Sequence, residues 1–233
     1  KIRGYTPHRL REDFCGTYAI CCEWAKLSEK HSAHGIDLDQ EPLDYGSKNY
    51  YSQLTPDQQS RVTKTLADVI APGHAKAQAI CALNFSYFIF KERARLKEYF
   101  TAAYNSLEDD GAFFMDCFGG SECQQPIVEE TEYTDEGFSY FWDQDSFNPI
   151  NNHAQFYIHF KRKGEKKRDR VFSYDWRMWS LAELKDLLLE VGFSKALVYW
   201  EGDDDDGGGD GTYTQEVEVE SCESWVSYIV GVK

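Results

Sequence analysis

Short apolar runs alternate along the chain with longer stretches in which apolar side chains recur every three or four residues. That β-α-β-α order predicts an α/β fold, a mostly parallel sheet with helices on both faces. The runs place strands near 8–12, 33–37, 61–66, 78–83, 111–117, 195–200 and 224–232. Helices are predicted between them over 17–29, 41–52, 92–107 and 181–191. The last is bounded most sharply, with Ser180 as N-cap, Glu183 at the capping-box position and Gly192 after the final turn.

Two segments break the alternation. Residues 119–178 carry strand patterns, FSYFW, HAQFYIHFK and RVFSYDW, separated by the turn-like DSFNPINN and GEKK. They predict an antiparallel β insertion after the fifth strand. The second segment, GDDDDGGGDG over 202–211, has nothing to pack and predicts a mobile, solvated loop. It fails as an EF-hand, because Gly207 falls at the third ligand position and Thr214 where the bidentate Glu belongs, so no metal is expected.

Length and charge narrow the class. The 233 residues suit one domain spanning 1–233. No apolar run approaches the roughly 18 residues of a membrane span and no signal-peptide segment opens the chain, so a soluble, cytoplasmic protein is expected, with no membrane partner. The start at Lys1, close to the first strand, suggests that a preceding segment is missing. A formal charge of −15 disfavours nucleic acid, whose phosphates require a basic surface. The seven cysteines are odd in number, several lie in apolar stretches and none forms C-x-x-C, which predicts reduced, mostly buried thiols.

The most informative stretch is LREDFCGTY, residues 10–18, where a strand ends in a carboxylate and turns through Cys15, Gly16 and Thr17 into a helix. A Gly there lets the backbone approach a ligand, and the helix start offers free N–H groups. The same pattern also fits an ordinary strand-turn-helix. HGIDLD (34–39) adds a second feature: Asp37 ends the next apolar run about 20 residues beyond the Gly turn, where a carboxylate accepts both hydroxyls of a ribose. After the third strand, Asp68 is placed either to accept from an adenine amine or to cap a turn.

With these motifs in place, the chain resembles the class I S-adenosylmethionine (SAM)-dependent methyltransferases over nearly its whole length. The family's acid-x-Gly-x-Gly-x-Gly becomes Glu12, Phe14, Gly16 and Tyr18, keeping the acid and the middle Gly. LEDDGAFFMDCFGG (107–120) resembles the family's turn and fifth strand, and RMWSLAELKDLLLEVGFSKALVYW (177–200) its last helix and sixth strand. The resemblance implies a seven-stranded, doubly wound sheet of order 3-2-1-4-5-7-6 whose last strand, SWVSYIVGVK, is antiparallel. It also implies SAM as cofactor, held by Glu12, Phe14, Cys15, Gly16 and Thr17 at the methionine end, Asp37 and Leu38 at the ribose, Asp68 and Val69 at the adenine, and Asn84 and Phe85 beside the methyl. Direct displacement of a methyl from a sulfonium proceeds by positioning and desolvation, so a large catalytic constellation is not required.

Candidates for the acceptor side are fewer. NFSY (84–87) has the Asn and Tyr of the N-P-P-Y motif without its prolines, which leaves Tyr87 a weak catalytic candidate. Tyr140, Trp142, Trp176 and Trp179 are either the core of the insertion or walls of a substrate pocket whose π faces suit a sulfonium. His153 and His159 fit a general base or a structural strand histidine. KRKGEKKRDR (161–170) caps a hairpin or attracts an anion. The acceptor is expected to be a small molecule, with a lid over 119–178 covering it; a homodimer stays open. Two other functions compete. An NAD-dependent oxidoreductase shares the Gly turn and Asp37, but Phe14 and Tyr18 stand where a pyrophosphate needs glycine. A non-catalytic SAM-binding module shares every cofactor residue.

Overall fold

The computed structural model describes residues 4–204 and 208–233. Its first half runs β1 (Arg9–Asp13), α1 (Ala19–Lys26), β2 (Ser32–Asp37), α2 (Gln40–Asn49), α3 (Pro56–Ser60), β3 (Val62–Leu66), β4 (Ala77–Ala82), α4 (Arg93–Ser106) and β5 (Leu107–Gly119). The antiparallel strands β6 (Ile127–Tyr133), β7 (Phe138–Asn148), β8 (His153–Arg162) and β9 (Arg168–Arg177) follow. The chain then returns through α5 (Leu181–Val191), β10 (Lys195–Asp203), β11 (Gly209–Glu216) and β12 (Trp225–Val232).

The main sheet has the order β11-β10-β12-β5-β4-β1-β2-β3. From β3 to β10 this is the expected 3-2-1-4-5-7-6, with β12 antiparallel to both β5 and β10. The expected seven strands are corrected to eight. β11 pairs antiparallel with β10 at the edge, so Gly202, Asp203 and Gly209–Gly211, assigned from composition to a solvated loop, are strand residues here. Asp205–Gly207, the middle of that segment, lie outside the described residues. The glycines and aspartate that open β11 have poor strand propensity, which pairing with β10 overrides.

Local chemistry explains the helix bounds. Ser180 and Glu183 close a capping box and Gly192 ends α5 in the left-handed region at φ 119°. Asp39 caps α2 by accepting from the Glu41 N–H at 3.0 Å. Strand alternation then sorts the core. Ile80 of β4 faces the Leu96, Tyr99 and Phe100 side of α4 and the Leu184, Leu187 and Leu188 side of α5. Its neighbours Ala79 and Cys81 face Cys21, Cys22 and Ala25 of α1 and Leu43 of α2. Helices therefore cover both faces, and all seven cysteines are free thiols, six of them buried.

The insertion forms a second sheet, β6-β7-β8-β9, with four strands where the sequence patterns mark three. β6, whose polar IVEETEY carries no strand pattern of its own, is an edge strand whose side chains are almost all exposed. One face of this sheet joins the main core: Trp142, Phe156 and Trp176 pack around Phe118 at the end of β5, with ring centroids 5.9–6.3 Å apart.

Candidate functional site

Two strained turns stand side by side at the carboxyl ends of adjacent parallel strands, since Asp13 of β1 pairs with Ala82 of β4. After β1, Phe14, Gly16 and Tyr18 all have positive φ, at 55°, 51° and 43°. After β4, Asn84 and Phe85 do so too, at 58° and 56°. A left-handed non-glycine residue costs about 1–2 kcal/mol and persists only where its surroundings enforce it, a pattern concentrated at functional sites.

Each turn is enforced by a carboxylate. Asp37, at the tip of β2, accepts from the Gly16 N–H at 2.7 Å through Oδ2 and from the Asp39 N–H at 2.9 Å through Oδ1. Asp116, near the end of β5, accepts from Asn84 at 2.6 Å and Phe85 at 2.9 Å, one N–H on each oxygen. Burial pushes the Asp116 carboxyl up to about 6, against the lowering effect of these two bonds. The sequence reading missed Asp116, although a lone acid inside the apolar FFMDCF was a visible signal.

Glu12 lies buried behind the first turn. Its Oε2 accepts from the Cys21 N–H at 3.2 Å and from the Cys21 thiol at 3.1 Å. Desolvation pushes its carboxyl up to about 7, with Asp13 and Asp37 adding repulsion and the Cys21 bonds opposing it. On the opposite face of β1, Arg11 pairs with Asp13 at 2.6 Å and donates to the Val69 carbonyl at 2.9 Å, and Tyr99 donates to Asp13 at 2.9 Å. This buried network, also missed from sequence, fixes the loop after β3. It went unseen because a charged REDF run reads as surface, whereas here it is neutralised internally.

The remaining expected cofactor residues fall around the same edge. Leu38 is 68% exposed beside Asp37. Val69 is buried, and Asp68 accepts from Ile70 N–H at 2.9 Å and from Arg95 at 3.0 Å, the turn-capping alternative in geometry. Cys15 is a buried thiol against Gly35, pushed well up by desolvation, so its backbone and not its sulfur faces the turn. Thr17 meets α2 at Gly46, where an added Cβ would lie 2.7 Å from the Thr17 carbonyl carbon. At Gly16 the same Cβ would meet nothing within 4 Å. The turn therefore opens on free space.

The acceptor-side candidates separate. Tyr140 and Trp142 line a cavity of about 270 Å³ together with Phe85, Phe118, Glu122 and Glu129. Trp179 lines a second cavity of about 610 Å³ beside Trp200 and Trp225, while its indole N–H donates to the Phe90 carbonyl. Trp176 is buried against Phe88 and Phe118. Tyr87 is wholly buried and donates to the Asp116 carbonyl at 2.7 Å, which takes it away from the cleft as a proton carrier and makes it a support of the second turn. His153 opens β8 opposite Arg177. His159 accepts the Arg170 N–H at Nδ1, so its proton sits on Nε2, 2.9 Å from Asp143, the structural alternative for this residue. The basic run lies on the β8–β9 hairpin, with Lys167 over Phe141 and Arg170 over Tyr157.

No protein-family model and no curated protein sequence matches the chain. Solved structures do. A SAM-dependent methyltransferase from Clostridium acetobutylicum superposes with a TM-score of 0.65 at 20% identity, over 96% of this chain and 83% of that one. The CcbJ methyltransferase from Streptomyces caelestis gives 0.70 at 16%, over 95% and 82%. CalS10, an amino pentose methyltransferase from Micromonospora echinaspora whose structure holds SAM, gives 0.66 at 13%, over 97% and 84%. The fold is that of the SAM-dependent methyltransferases. Among the described residues no helix is long and apolar enough to cross a membrane.

Proposed function

We propose that this chain is a SAM-dependent methyltransferase that transfers a methyl group to an oxygen or nitrogen nucleophile of a small molecule. The observation that carries the reading is the pair of carboxylate-braced left-handed turns, Phe14–Tyr18 and Asn84–Phe85, at adjacent strand ends of the methyltransferase fold. The residues present fit the cofactor. Asp37 has lone pairs left for ribose hydroxyls, since each oxygen accepts one N–H. Leu38, exposed beside Asp37, offers an apolar surface, and Gly16 leaves room above the backbone. Glu12 would face the methionine end. When bound, SAM supplies a methyl on a sulfonium, an electrophile open to direct displacement. The chain's own part is to hold, orient and keep water out, the last through the 119–178 sheet that projects from the end of β5.

Calorimetric titration of the full chain with SAM, S-adenosylhomocysteine and NAD tests this reading. The expected result is binding of the first two and none of NAD. Binding of NAD alone would move the chain to the oxidoreductases. A non-catalytic SAM-binding module is separated by turnover: methyl transfer to at least one member of a small-molecule panel is expected, and SAM binding without any transfer would favour the module.

A further inference from the structure

The cavity of about 270 Å³ is lined by Phe85 of the second turn, Phe118 of β5, Tyr140 and Trp142 of β7 and Val226 of β12. Phe85 belongs to both this cavity and the turn braced by Asp116, so the cavity adjoins the place where the methyl is expected. Its polar lining is one-sided. Glu129 projects from β6 on the same face as Trp142, its register partner, and Glu122 lines the cavity as well. Among the described residues that line it there is no Lys, Arg or His.

A buried amide points the same way. Gln144, 7% exposed, uses its Nε2 to donate to the carbonyls of Glu122 and Gln125, at 3.2 and 3.3 Å. Carbonyls only accept, so this fixes the amide orientation and leaves Oε1 as an acceptor without a partner among the described residues. That oxygen is not among the buried unpaired atoms, so it is open to a donor-bearing guest. Two carboxylates, a free amide carbonyl and the π faces of Tyr140, Trp142 and Phe85 make a site for a cation that carries N–H groups.

From this lining we infer that the acceptor is a cationic amine, held in the 270 Å³ cavity by Glu129 and Glu122 with an apolar or planar body against Tyr140 and Trp142. The inference rests on the methyltransferase reading and narrows its acceptor from oxygen or nitrogen to nitrogen. The ammonium gives one proton to the solvent-contacting Glu129 carboxylate and on to water. Its nitrogen lone pair then forms the N–C bond as the C–S bond breaks, and the bond pair stays on sulfur. The products are a methylated ammonium and a neutral thioether, so charge balances.

The test uses the full chain saturated with S-adenosylhomocysteine, titrated calorimetrically with benzylamine and glucosamine and with their neutral counterparts benzyl alcohol and glucose. At least one amine should bind at least tenfold more tightly than its counterpart, and that affinity should fall as the pH passes the amine's own pKa. Glu129→Gln and Glu122→Gln, both at solvent-contacting positions, should each weaken the amine about tenfold while S-adenosylhomocysteine affinity changes less than twofold. Equal binding of alcohol and amine, an unchanged Glu129→Gln, or no binding of either amine overturns the inference. Failure of S-adenosylhomocysteine itself to bind overturns the methyltransferase reading instead.

Discussion

Glu12 links protonation to both stability and binding. Its carboxyl is raised from 4.5 to about 7 in the folded chain, chiefly by desolvation. The folded state therefore keeps a proton that the unfolded state releases, and the stability this contributes is present below about pH 4.5 and lost as pH rises through 7. A shift of this size corresponds to on the order of 3 kcal/mol. Glu12→Gln carries no ionisation, and its amide oxygen still accepts from Cys21, so the variant should gain in melting temperature over the parent between pH 5 and 8. A constant difference across that range would show that Glu12 is ionised throughout. Binding should move oppositely: SAM affinity of the parent should rise from pH 6 to 8 as Glu12 ionises toward the cationic methionine end, and titrations at the two pH values decide it. Asp37→Ala removes a turn brace and, on the proposed reading, the ribose acceptor, and charge-assisted bonds of about 1.5–3 kcal/mol then predict a loss of tenfold or more in SAM affinity. Unchanged affinity would displace the cofactor from β2. The sequence marked Glu12 and Asp37 as candidates because each stands at or next to the carboxyl end of a strand. Asp116 and the Arg11–Asp13 pair were hidden, because their partners are backbone groups or residues tens of positions away.

Two glycines test how the elements carry the turn after β1. Gly46 of α2 lies where a Cβ would collide with Thr17, so Gly46→Ala forces α2 off the turn; overpacking of this kind costs about 1–3 kcal/mol. Gly16 has open space around it, so Gly16→Ala meets only the strain of φ 51°, about 1–2 kcal/mol, and places its methyl where the cofactor backbone approach is expected. Both variants should bind S-adenosylhomocysteine more weakly. Gly46→Ala should also lower the urea midpoint the more. Similar folding stability with intact binding in Gly46→Ala would mean that α2 does not support the turn. Element legibility followed local chemistry. α5 came out at its predicted bounds because its caps are written in Ser180, Glu183 and Gly192. α1 is shorter than predicted, beginning at Ala19, because Tyr18 is left-handed and the preceding turn takes the residues a helix would have used. β6 and β11 were unreadable because edge strands with polar or glycine-rich sequences gain their order from a neighbour, not from their own pattern.

At the scale of the molecule, the sequence marked 119–178 as an insertion but not how it is anchored, since the anchoring is aromatic packing between distant segments. Trp142, Phe156 and Trp176 share one cluster with Phe85, Phe88 and Phe118 of the main fold, so the part of the second sheet around these residues is an extension of the core and not a free flap. The β6 edge differs even from the β9 edge, which is anchored by the buried Trp176: β6 carries exposed side chains on nearly every residue and is held in the sheet through β7. Local opening follows burial and pairing, so native-state hydrogen exchange should show two classes within the insertion. Amides of β7–β9 around Trp142, Phe156 and Trp176 should exchange with the slow core, and those of Ile127–Tyr133 well before it. Because Ile127 and Glu129 line the cavity beside Phe85, a bound acceptor should slow β6 selectively in the presence of S-adenosylhomocysteine. Exchange of β7–β9 as fast as β6 would restore the whole segment to a mobile lid. If β6 exchange does not change when an acceptor turns over, access to the cavity is controlled elsewhere, and the larger opening beside Trp179, Trp200 and Trp225 becomes the entry.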